Sequence, residues 1–323
     1  MSNIRTDLAL EASEVLLGKE KSADGVTVES EENEGVIVTK VDITNEKGSE
    51  LMGKPIGSYI TIEAQGLREN SPQLQKNVTL ILSEKLKELA GPEKHKKFLV
   101  VGLGNWNVTP DALGPKVVSK ILVTRHILNS FPDEVKNSVG DVSAISPGVL
   151  GITGIETSEI IKGVVEKTKP QAVIAIDALA ARSVSRVNST IQISDTGINP
   201  GSGVGNSRMP LNKETLGATV IAIGVPTVVD AATLVNDTLE NVLSSMAEKS
   251  GGSGEVFKCI KTLMEEDKFE DIFNALEPYS GNMFVTPKEV DSTIERLSDI
   301  IGNAINITLH PAIDIDDVKN YSF

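Results

Sequence analysis

The chain has 323 residues, 40% of them hydrophobic and only 3% aromatic, and its formal net charge is -14 at pH 7. This length is sufficient for one large α/β domain with a smaller insert. The negative charge disfavours direct binding of nucleic acid, whose phosphate backbone it repels, and the single cysteine excludes an intrachain disulfide. Neither a signal-peptide core nor an apolar stretch long enough to span a bilayer is present, so we expect no membrane association and a cytosolic location, or a compartment derived from the cytosol.

Strands and helices are predicted to alternate along most of the chain, from the spacing of the apolar residues. Two β-rich runs come first, at residues 35–44 and 59–63, and they predict an antiparallel edge or hairpin layer at the N-terminal end. The alternation that follows requires crossover connections and favours an α/β fold with a mostly parallel central sheet flanked by helices. The further strands are expected at residues 98–104, 142–146, 172–177, 190–194 and 218–224, and the helices at residues 73–90, 113–130, 154–169, 227–249 and 287–309.

A run of serine and glycine at residues 250–254 interrupts this pattern and predicts a flexible linker. One or two short helices are expected directly after it. We therefore expect a small helical insert at residues 251–281, placed between the two parts of a single core domain, residues 8–250 and 282–323.

Two aspartates are expected at one edge of the sheet. Asp177 ends the run 172–177, and Asp111 lies in the loop that follows the strand 98–104. Ligands bind at the carboxyl ends of the strands in an open parallel sheet. Two neighbouring carboxylates do not readily both ionise, so one can keep its proton while the other acts as a base towards water. The residues alone leave a structural alternative open, in which Asp111 caps a loop and Asp177 belongs to a turn.

The remaining motifs are weaker. Asp230 is assigned to the capping of a helix that begins at Thr227. Residues 102–107 lack the third glycine of a dinucleotide fingerprint, and the glycine-rich loop at residues 197–206 lacks the lysine of a phosphate loop. Asp195 opens an Asp-Thr-Gly tripeptide, as in pepsin-like proteases, but their all-β fold does not match the strand–helix pattern, so we interpret Asp195 as a turn residue.

The sequence predicts no metal site and no cofactor. The three histidines are far apart and show no metal-ligand spacing. The chain also lacks a Gly-x-Ser-x-Gly nucleophile motif, although a site of the Ser-His-Asp type stays open as an alternative.

A set of long motifs spreads over nearly the whole chain, and together they resemble the germination proteases of spore-forming bacteria. They are RTDLA at residues 5–9, VVGLGN at 100–105, TPDALGPK at 109–116, TGIETS at 153–158, IAIDALAAR at 174–182, GSGVGN at 201–206 and VTPKEVD at 285–291.

The resemblance implies an endopeptidase that cuts small acid-soluble spore proteins early in germination. It implies an aspartic-type mechanism, with Asp111 and Asp177 as the catalytic pair. The family is similar in fold to hydrogenase-maturation endopeptidases, which bind a metal, but this chain offers no obvious histidine ligand and no metal is carried over. The resemblance further implies a homotetramer in the cytoplasm of the forespore or in the spore core.

The resemblance also implies a precursor that removes its own N-terminal segment by cutting between an acidic and an apolar residue that precedes an alanine. Asp7, Leu8 and Ala9 match this site, so we expect a propeptide of residues 1–7 and cleavage of the Asp7–Leu8 bond. Such a propeptide is shorter than is usual in the family. Because protonation weakens whatever the carboxylates hold, self-processing is expected to accelerate below neutral pH.

Two basic residues lie close to the aspartates in sequence, Arg182 and Lys116. Either is a candidate for binding the substrate carboxylate that precedes the cut, and either could instead pair with a structural acid. Two alternatives to the aspartic-type protease also stay open. One is a metal-dependent or serine-type protease on the same fold, and the other is a non-enzymatic module that binds a peptide or a nucleotide with the loop at residues 201–206.

Overall fold

The computed structural model describes most of the chain and shows α-helices and short 3₁₀ helices packed on a sheet. The described residues are 6–18, 22–90, 97–130, 132, 136, 138–200, 209–231, 233–235, 238, 242, 245–246 and 283–317. The α-helices with defined bounds are α1 (Ala9–Leu17), α2 (Glu46–Met52), α3 (Pro72–Ala90), α4 (Leu113–Ser119), α5 (Leu150–Thr153), α6 (Thr157–Thr168), α7 (Lys213–Leu216) and α8 (Val290–Leu309).

Ten strands form one continuous sheet. They are β1 (Ser22–Ala23), β2 (Val26–Asn33), β3 (Val36–Ile43), β4 (Gly57–Glu63), β5 (Lys97–Gly102), β6 (Asp141–Ile145), β7 (Ala172–Ala181), β8 (Thr190–Ser194), β9 (Thr219–Asp230) and β10 (Phe284–Val285). The order across the sheet is β1-β2-β3-β4-β8-β9-β7-β5-β6, and β10 pairs with β9.

The α/β fold class is confirmed, with helices on both sides of a central sheet. The parallel pairings join β9, β7, β5 and β6. The predicted β-rich N-terminal layer is an antiparallel extension of the same sheet, because β4 pairs with β8 and β8 pairs with β9. The predicted insert at residues 251–281 lies outside the described residues.

Side chains alternate between the two faces of the sheet, as the strand period of two requires. On the first face, Val100, Ile174 and Ile221 pack against α3, α4 and α8. On the second face, Val173 and Val220 pack with residues of α6. The N-terminal residue Leu8 lies on the second face as well, since it packs with Leu179 of β7. The start of the described chain is therefore in contact with the second face of the sheet.

The predicted helix at residues 113–130 is wrong beyond Ser119. The side chain of Asn306 on α8 accepts a hydrogen bond from the Leu122 backbone N–H at 2.9 Å and donates one to the Lys120 carbonyl at 2.9 Å. These side-chain bonds replace the helical hydrogen bonds of this stretch, so α4 ends before the apolar pattern does.

The predicted helix start at Thr227 is also wrong. Strand β9 continues through Pro226 to Asp230, because its last residues pair with the end of β7 on one side and with β10 on the other. The Asp230 side chain then accepts a hydrogen bond from the Thr233 N–H at 3.2 Å, so Asp230 rather than Thr227 caps the turn that follows. In the described ranges, no helix has both the length and the apolar character needed to cross a membrane.

Candidate active site

Asp111 lies at the carboxyl end of β5. Its side chain accepts a hydrogen bond from the Asn105 backbone N–H at 2.8 Å, and this bond folds the loop back over the strand end. Gly104 makes the fold possible. Its φ is +109°, and a Cβ there would lie 2.1 Å from the Asp111 carbonyl oxygen. The second glycine of the VVGLGN motif, Gly104, therefore allows Asp111 to approach the end of β5.

Asp177 lies within β7 and is 7% exposed. The sequence predicted that the strand would end at Asp177, but β7 continues to Ala181. Gly102 of β5 pairs with Ile176, and the Leu103 N–H donates to the Ile176 carbonyl at 2.8 Å. Asp177 is thus beside the end of β5, and the structure brings both aspartates to the same edge of the parallel strands. Their catalytic role stays a prediction.

Asp177, Gly224 and Gln192 are paired across three neighbouring strands and form one row on the second face of the sheet. Asp177 pairs with Gly224 of β9, and Gly224 pairs with Gln192 of β8. Two strand spacings separate the Cα atoms of Asp177 and Gln192 by about 10 Å. Gly224 contributes no side chain to this row, and the Leu179 side chain occupies the space above it, since a Cβ on Gly224 would lie 2.3 Å from Leu179 Cδ1.

The predicted cleavage site is seated on this same face. The Asp7 N–H donates to the Ala180 carbonyl at 3.3 Å, and the Asp7 carboxylate accepts from the Ala180 N–H at 3.0 Å. Leu8 is fully buried in a small apolar cluster that includes Leu179 and Val229. The start of α1 is therefore fixed to the end of β7 by backbone pairing and by apolar packing.

The carbonyl oxygen of Asp7, which belongs to the predicted scissile bond, accepts two side-chain hydrogen bonds. Lys54 Nζ lies 3.0 Å from it and Gln192 Nε2 lies 3.3 Å from it. The other end of the same amide, Gln192 Oε1, accepts from the Ala9 N–H at 2.7 Å. Gln192 therefore bridges the residues on either side of Leu8.

An open cavity of ≈ 360 Å³ lies in front of these groups. It is a space of the size that ligand sites usually have. Its walls include the predicted cleavage site and the polar groups that surround it, among them Thr6, Asp7, Lys54, Gln192, Ser194 and Gly224.

Burial changes the acid–base properties of two groups near the cavity. Burial lowers the pKa of the Lys54 ammonium, although the carboxylates of Asp7 and Glu11 favour its charged form. Burial raises the pKa of the Tyr59 hydroxyl to about 12, which keeps it neutral at any physiological pH. Lys54 thus loses its charge at a lower pH than an exposed lysine does.

Glu11 fixes the first turn of α1 in a similar way. Its buried carboxylate accepts hydrogen bonds from the backbone N–H groups of Arg182 at 2.8 Å and Ser183 at 2.9 Å. Arg186 approaches the same carboxylate at 3.6 Å and forms two bonds of 2.6 Å with Glu14. Hydrogen bonds to the end of β7 therefore fix Glu11, after the predicted cleavage site, as well as Asp7, before it.

The two candidate substrate-binding residues have different surroundings. Lys116 Nζ forms an ion pair of 2.9 Å with Glu295 on α8, which favours the structural alternative for this lysine. Arg182 follows the end of β7 and contributes its backbone N–H to Glu11. Neither observation tests substrate binding, so both assignments stay predictions.

Of the other sequence candidates, Asp195 borders the cavity, because Ser194, Thr196 and Gly197 line it. Asp195 accepts from the Ser58 N–H at 2.8 Å, as expected for a turn residue between two strands. The loop at residues 201–206 is not among the described residues. In the part of the chain that the structure describes, no group of three or more His, Cys, Asp or Glu side chains is arranged to hold a metal ion.

Sequence reasoning did not find Lys54, Gln192 or Glu11. Gln192 joins the site only because β8 lies antiparallel between β4 and β9, and this order is a long-range feature. Lys54 follows the left-handed glycine that ends α2, with Gly53 at φ +61°. A glycine after a short helix predicts a turn, but it does not indicate which surface the next residue meets.

Comparison with known proteins gives consistent matches over nearly the full length. A family model described as germination protease matches residues 5–258 and 247–322. The germination protease of Caldanaerobacter subterraneus subsp. tengcongensis is 51% identical to this chain over 310 residues, and the alignment covers 96% of this chain and 95% of the relative. The germination protease of Clostridium perfringens is 49% identical, with 99% of each chain covered. The germination protease of Bacillus thuringiensis subsp. konkukian is 48% identical, with 99% of this chain and 97% of the relative covered.

Among solved structures, the [NiFe] hydrogenase maturation protease HycI from Thermococcus kodakarensis KOD1 is similar to this chain at 18% sequence identity and a TM-score of 0.32. The alignment covers 65% of this chain and 93% of that protein.

Proposed function

The chain belongs to the germination protease family, and from this premise we propose that it is an aspartic-type endopeptidase that degrades small acid-soluble spore proteins. Membership of the family makes it a protease of spore germination. The substrate class, the mechanism and the self-processing precursor are the parts that we propose. One observation supports them best: Asp177 and the Asp7–Leu8 segment lie on the same face of the sheet, and Asp111 follows β5, the strand that pairs with β7.

In the proposed mechanism, Asp111 and Asp177 share one proton. The ionised carboxylate takes a proton from water as the water oxygen attacks the scissile carbonyl carbon. The protonated carboxyl group gives its proton to the leaving nitrogen as the C–N bond breaks. Two coupled carboxylates can carry out both steps without a covalent intermediate.

We further propose that the first substrate is the chain itself. Its Asp7–Leu8 bond has an acidic residue before the cut and an apolar residue after it, the pattern expected of the spore-protein substrates. Because Leu8 and Glu11 are buried in the folded chain, release of residues 1–7 would leave the new N-terminus in place. The protein is proposed to work as a homotetramer in the forespore or spore core.

The test uses a purified small acid-soluble spore protein and a form of the enzyme that begins at Leu8. Fragments are identified by intact mass, with the Asp177→Asn variant measured in parallel. The proposal expects one cut after an acidic residue by the wild type and no cut by the variant. Cutting by both would remove the aspartic-type mechanism but keep the protease. No cutting by a correctly folded wild type would remove the proposed substrate.

A further inference from the structure

The strongest unexplained feature is the pair of donors on one backbone carbonyl. Lys54 Nζ and Gln192 Nε2 both donate to the Asp7 oxygen, at 3.0 and 3.3 Å. A carbonyl oxygen has two lone pairs and can accept two hydrogen bonds, but here both donors are side chains and one of them is a cation. A positive charge and an amide directed at one carbonyl are what stabilise an oxygen that becomes negative.

Both donors are held in place before any reaction begins. Gln192 cannot turn freely, because its Oε1 accepts from the Ala9 N–H at 2.7 Å while its Nε2 faces Asp7. The backbone of Lys54 is fixed where α2 ends, since its N–H donates to the Ser49 carbonyl at 3.3 Å and its carbonyl accepts from the Ser49 hydroxyl at 2.7 Å. Donors that need no rearrangement contribute most to stabilising a transition state.

We propose that Lys54 and Gln192 form an oxyanion hole for cleavage of the Asp7–Leu8 bond. This inference rests on the proposed function, because it assigns a role at the bond that the chain is proposed to cut in itself. It adds two catalytic residues to the aspartate pair. The aspartates move protons, and Lys54 and Gln192 stabilise the charge on oxygen.

The atoms and electrons of the step balance. The water oxygen bonds to the Asp7 carbonyl carbon, its proton passes to the ionised aspartate, and the carbonyl π electrons move to the oxygen that faces Lys54 and Gln192. The carbonyl then re-forms as the bond to the Leu8 nitrogen breaks, and this nitrogen receives the proton of the other aspartate. The products are a carboxyl group at Asp7 and a free amino group at Leu8.

The position of Asp177 agrees with such a division of roles. Asp177 and Gln192 lie in one row, with Gly224 between them. Their Cα atoms are about 10 Å apart across two strand spacings, and the carbonyl lies on the Gln192 side of that gap. The row therefore places Asp177 and Gln192 on the same face of the sheet, with the Leu179 side chain over Gly224 between them.

The experiment measures the first-order rate constant of self-cleavage in the full chain, by intact mass, for Lys54→Met, Gln192→Leu and Lys54→Arg. Removal of one oxyanion donor usually slows a hydrolase by a factor of about 100 to 1000. We expect a loss of this size in Lys54→Met and Gln192→Leu, measured under conditions in which both variants are folded. Gln192→Leu should also have a lower unfolding midpoint, because the buried Ala9 N–H loses its acceptor. Lys54→Arg should recover most of the rate. The matched controls are the variants Lys47→Met and Gln73→Leu, whose substitutions are at exposed positions. Both should cleave themselves at the wild-type rate.

Each outcome supports or overturns the oxyanion hole. Wild-type rates in Lys54→Met and Gln192→Leu would overturn it and leave the protease assignment intact. A faster reaction would also overturn it, since the two side chains would then only hold the segment closed. Failure of the wild type to cut after Asp7 would overturn the proposed self-processing itself. If Lys54→Met does not fold, the rate of Gln192→Leu decides between these results.

Discussion

Lys54 Nζ lies 3.0 Å from the carbonyl oxygen of Asp7. A lysine that follows α2 therefore contacts the peptide bond that this chain is proposed to cleave in itself. The contact joins residues 47 positions apart in the sequence. If the proposed oxyanion hole is correct, self-processing should depend on the charge of this amine.

The first prediction concerns the pH dependence of self-processing. Burial lowers the pKa of Lys54, and Asp7 and Glu11 are the carboxylates that oppose this effect. Tyr59 lines the same cavity and stays neutral, since its pKa is raised to about 12. As the pH rises through the lowered pKa, Lys54 loses its charge and the rate should fall. The rate is therefore expected to increase towards acidic pH.

The Lys54→Arg variant separates this effect from the titration of the aspartates. Arginine stays protonated at every pH of interest, so the variant should lose the decrease in rate at higher pH while it keeps any dependence that comes from Asp111 and Asp177. Rates are measured between mildly acidic and mildly alkaline pH. Equal profiles in the wild type and the variant would exclude Lys54 as the titrating group.

The second prediction concerns Gly224. A Cβ at this position would lie 2.3 Å from Leu179 Cδ1, so Gly224→Ala must displace the side chain that packs against Leu8. Overpacking of this kind costs about 1 to 3 kcal/mol of unfolding free energy. We expect a lower urea midpoint and self-cleavage slowed at least about tenfold, since a displacement of about 1 Å near a reacting bond can cost a factor of 100.

The control for Gly224 is Gly163 in α6. A Cβ on Gly163 would meet nothing within 4 Å, and alanine favours a helix over glycine by about 1 kcal/mol. Gly163→Ala should therefore raise the urea midpoint and leave processing unchanged. If Gly224→Ala behaved like this control, the close contact with Leu179 would have no consequence.

The third prediction concerns Glu11. Its carboxylate accepts from two backbone N–H groups, those of Arg182 and Ser183, and Glu11→Leu would leave both without their acceptor. Each buried donor left unsatisfied costs about 1 to 3 kcal/mol. We expect a clear fall in the unfolding free energy and faster proteolytic cutting within α1. Glu14→Leu is the matched control. The Glu14 side chain is half exposed, so its loss should cost about 1 kcal/mol or less. Equal losses in the two variants would contradict the role of the buried carboxylate.

The fourth prediction concerns stability at low pH. Burial lowers the pKa of His310 below its ordinary value of 6.5, and its Nε2 is bonded to the Leu122 carbonyl at 3.0 Å. The unfolded chain binds a proton at this residue that the folded chain does not. This contribution to stability is fully present above pH 6.5 and is lost as the pH falls towards the lowered value.

Urea unfolding of wild type and His310→Gln at several pH values tests this expectation. Between pH 7 and pH 5 the wild type should lose more unfolding free energy than the variant does. The difference should be about 1.4 kcal/mol for every pH unit that separates the pKa of His310 in the folded chain from its pKa in the unfolded chain. His126→Gln, at an exposed position, should follow the wild type. A wild-type slope in His310→Gln would rule out this histidine as the source.

Local patterns predicted much of the fold and the edge on which the aspartates lie. The parallel strands are runs of β-branched residues, and the rule that ligand groups follow strand ends located Asp111 after β5. Asp177 lies beside the end of β5, but it lies within β7 and not at its end. The errors arose where distant residues change the local structure. Asn306 ends α4 early by bonding to Lys120 and Leu122, and β10 extends β9 to Asp230.

The sequence did not predict the two donors at the Asp7 carbonyl, because they too depend on contacts between distant residues. Gln192 reaches Asp7 across 185 residues of sequence, and it does so because β8 lies between β4 and β9 in reverse direction. An isolated glutamine in a short strand carries no signal of that contact. Strand order is set by the packing of the whole sheet, and this information is absent from any single segment.

The most direct test of the two-carboxylate mechanism is the intact mass of the full chain during self-processing, compared among wild type, Asp111→Asn and Asp177→Asn. Asparagine keeps the size and most hydrogen bonds of aspartate but can neither accept nor deliver the proton. The mechanism predicts loss of residues 1–7 from the wild type and an uncut chain in both variants, with wild-type unfolding midpoints. Removal of the segment at the wild-type rate in either variant would contradict the pairing of Asp111 with Asp177.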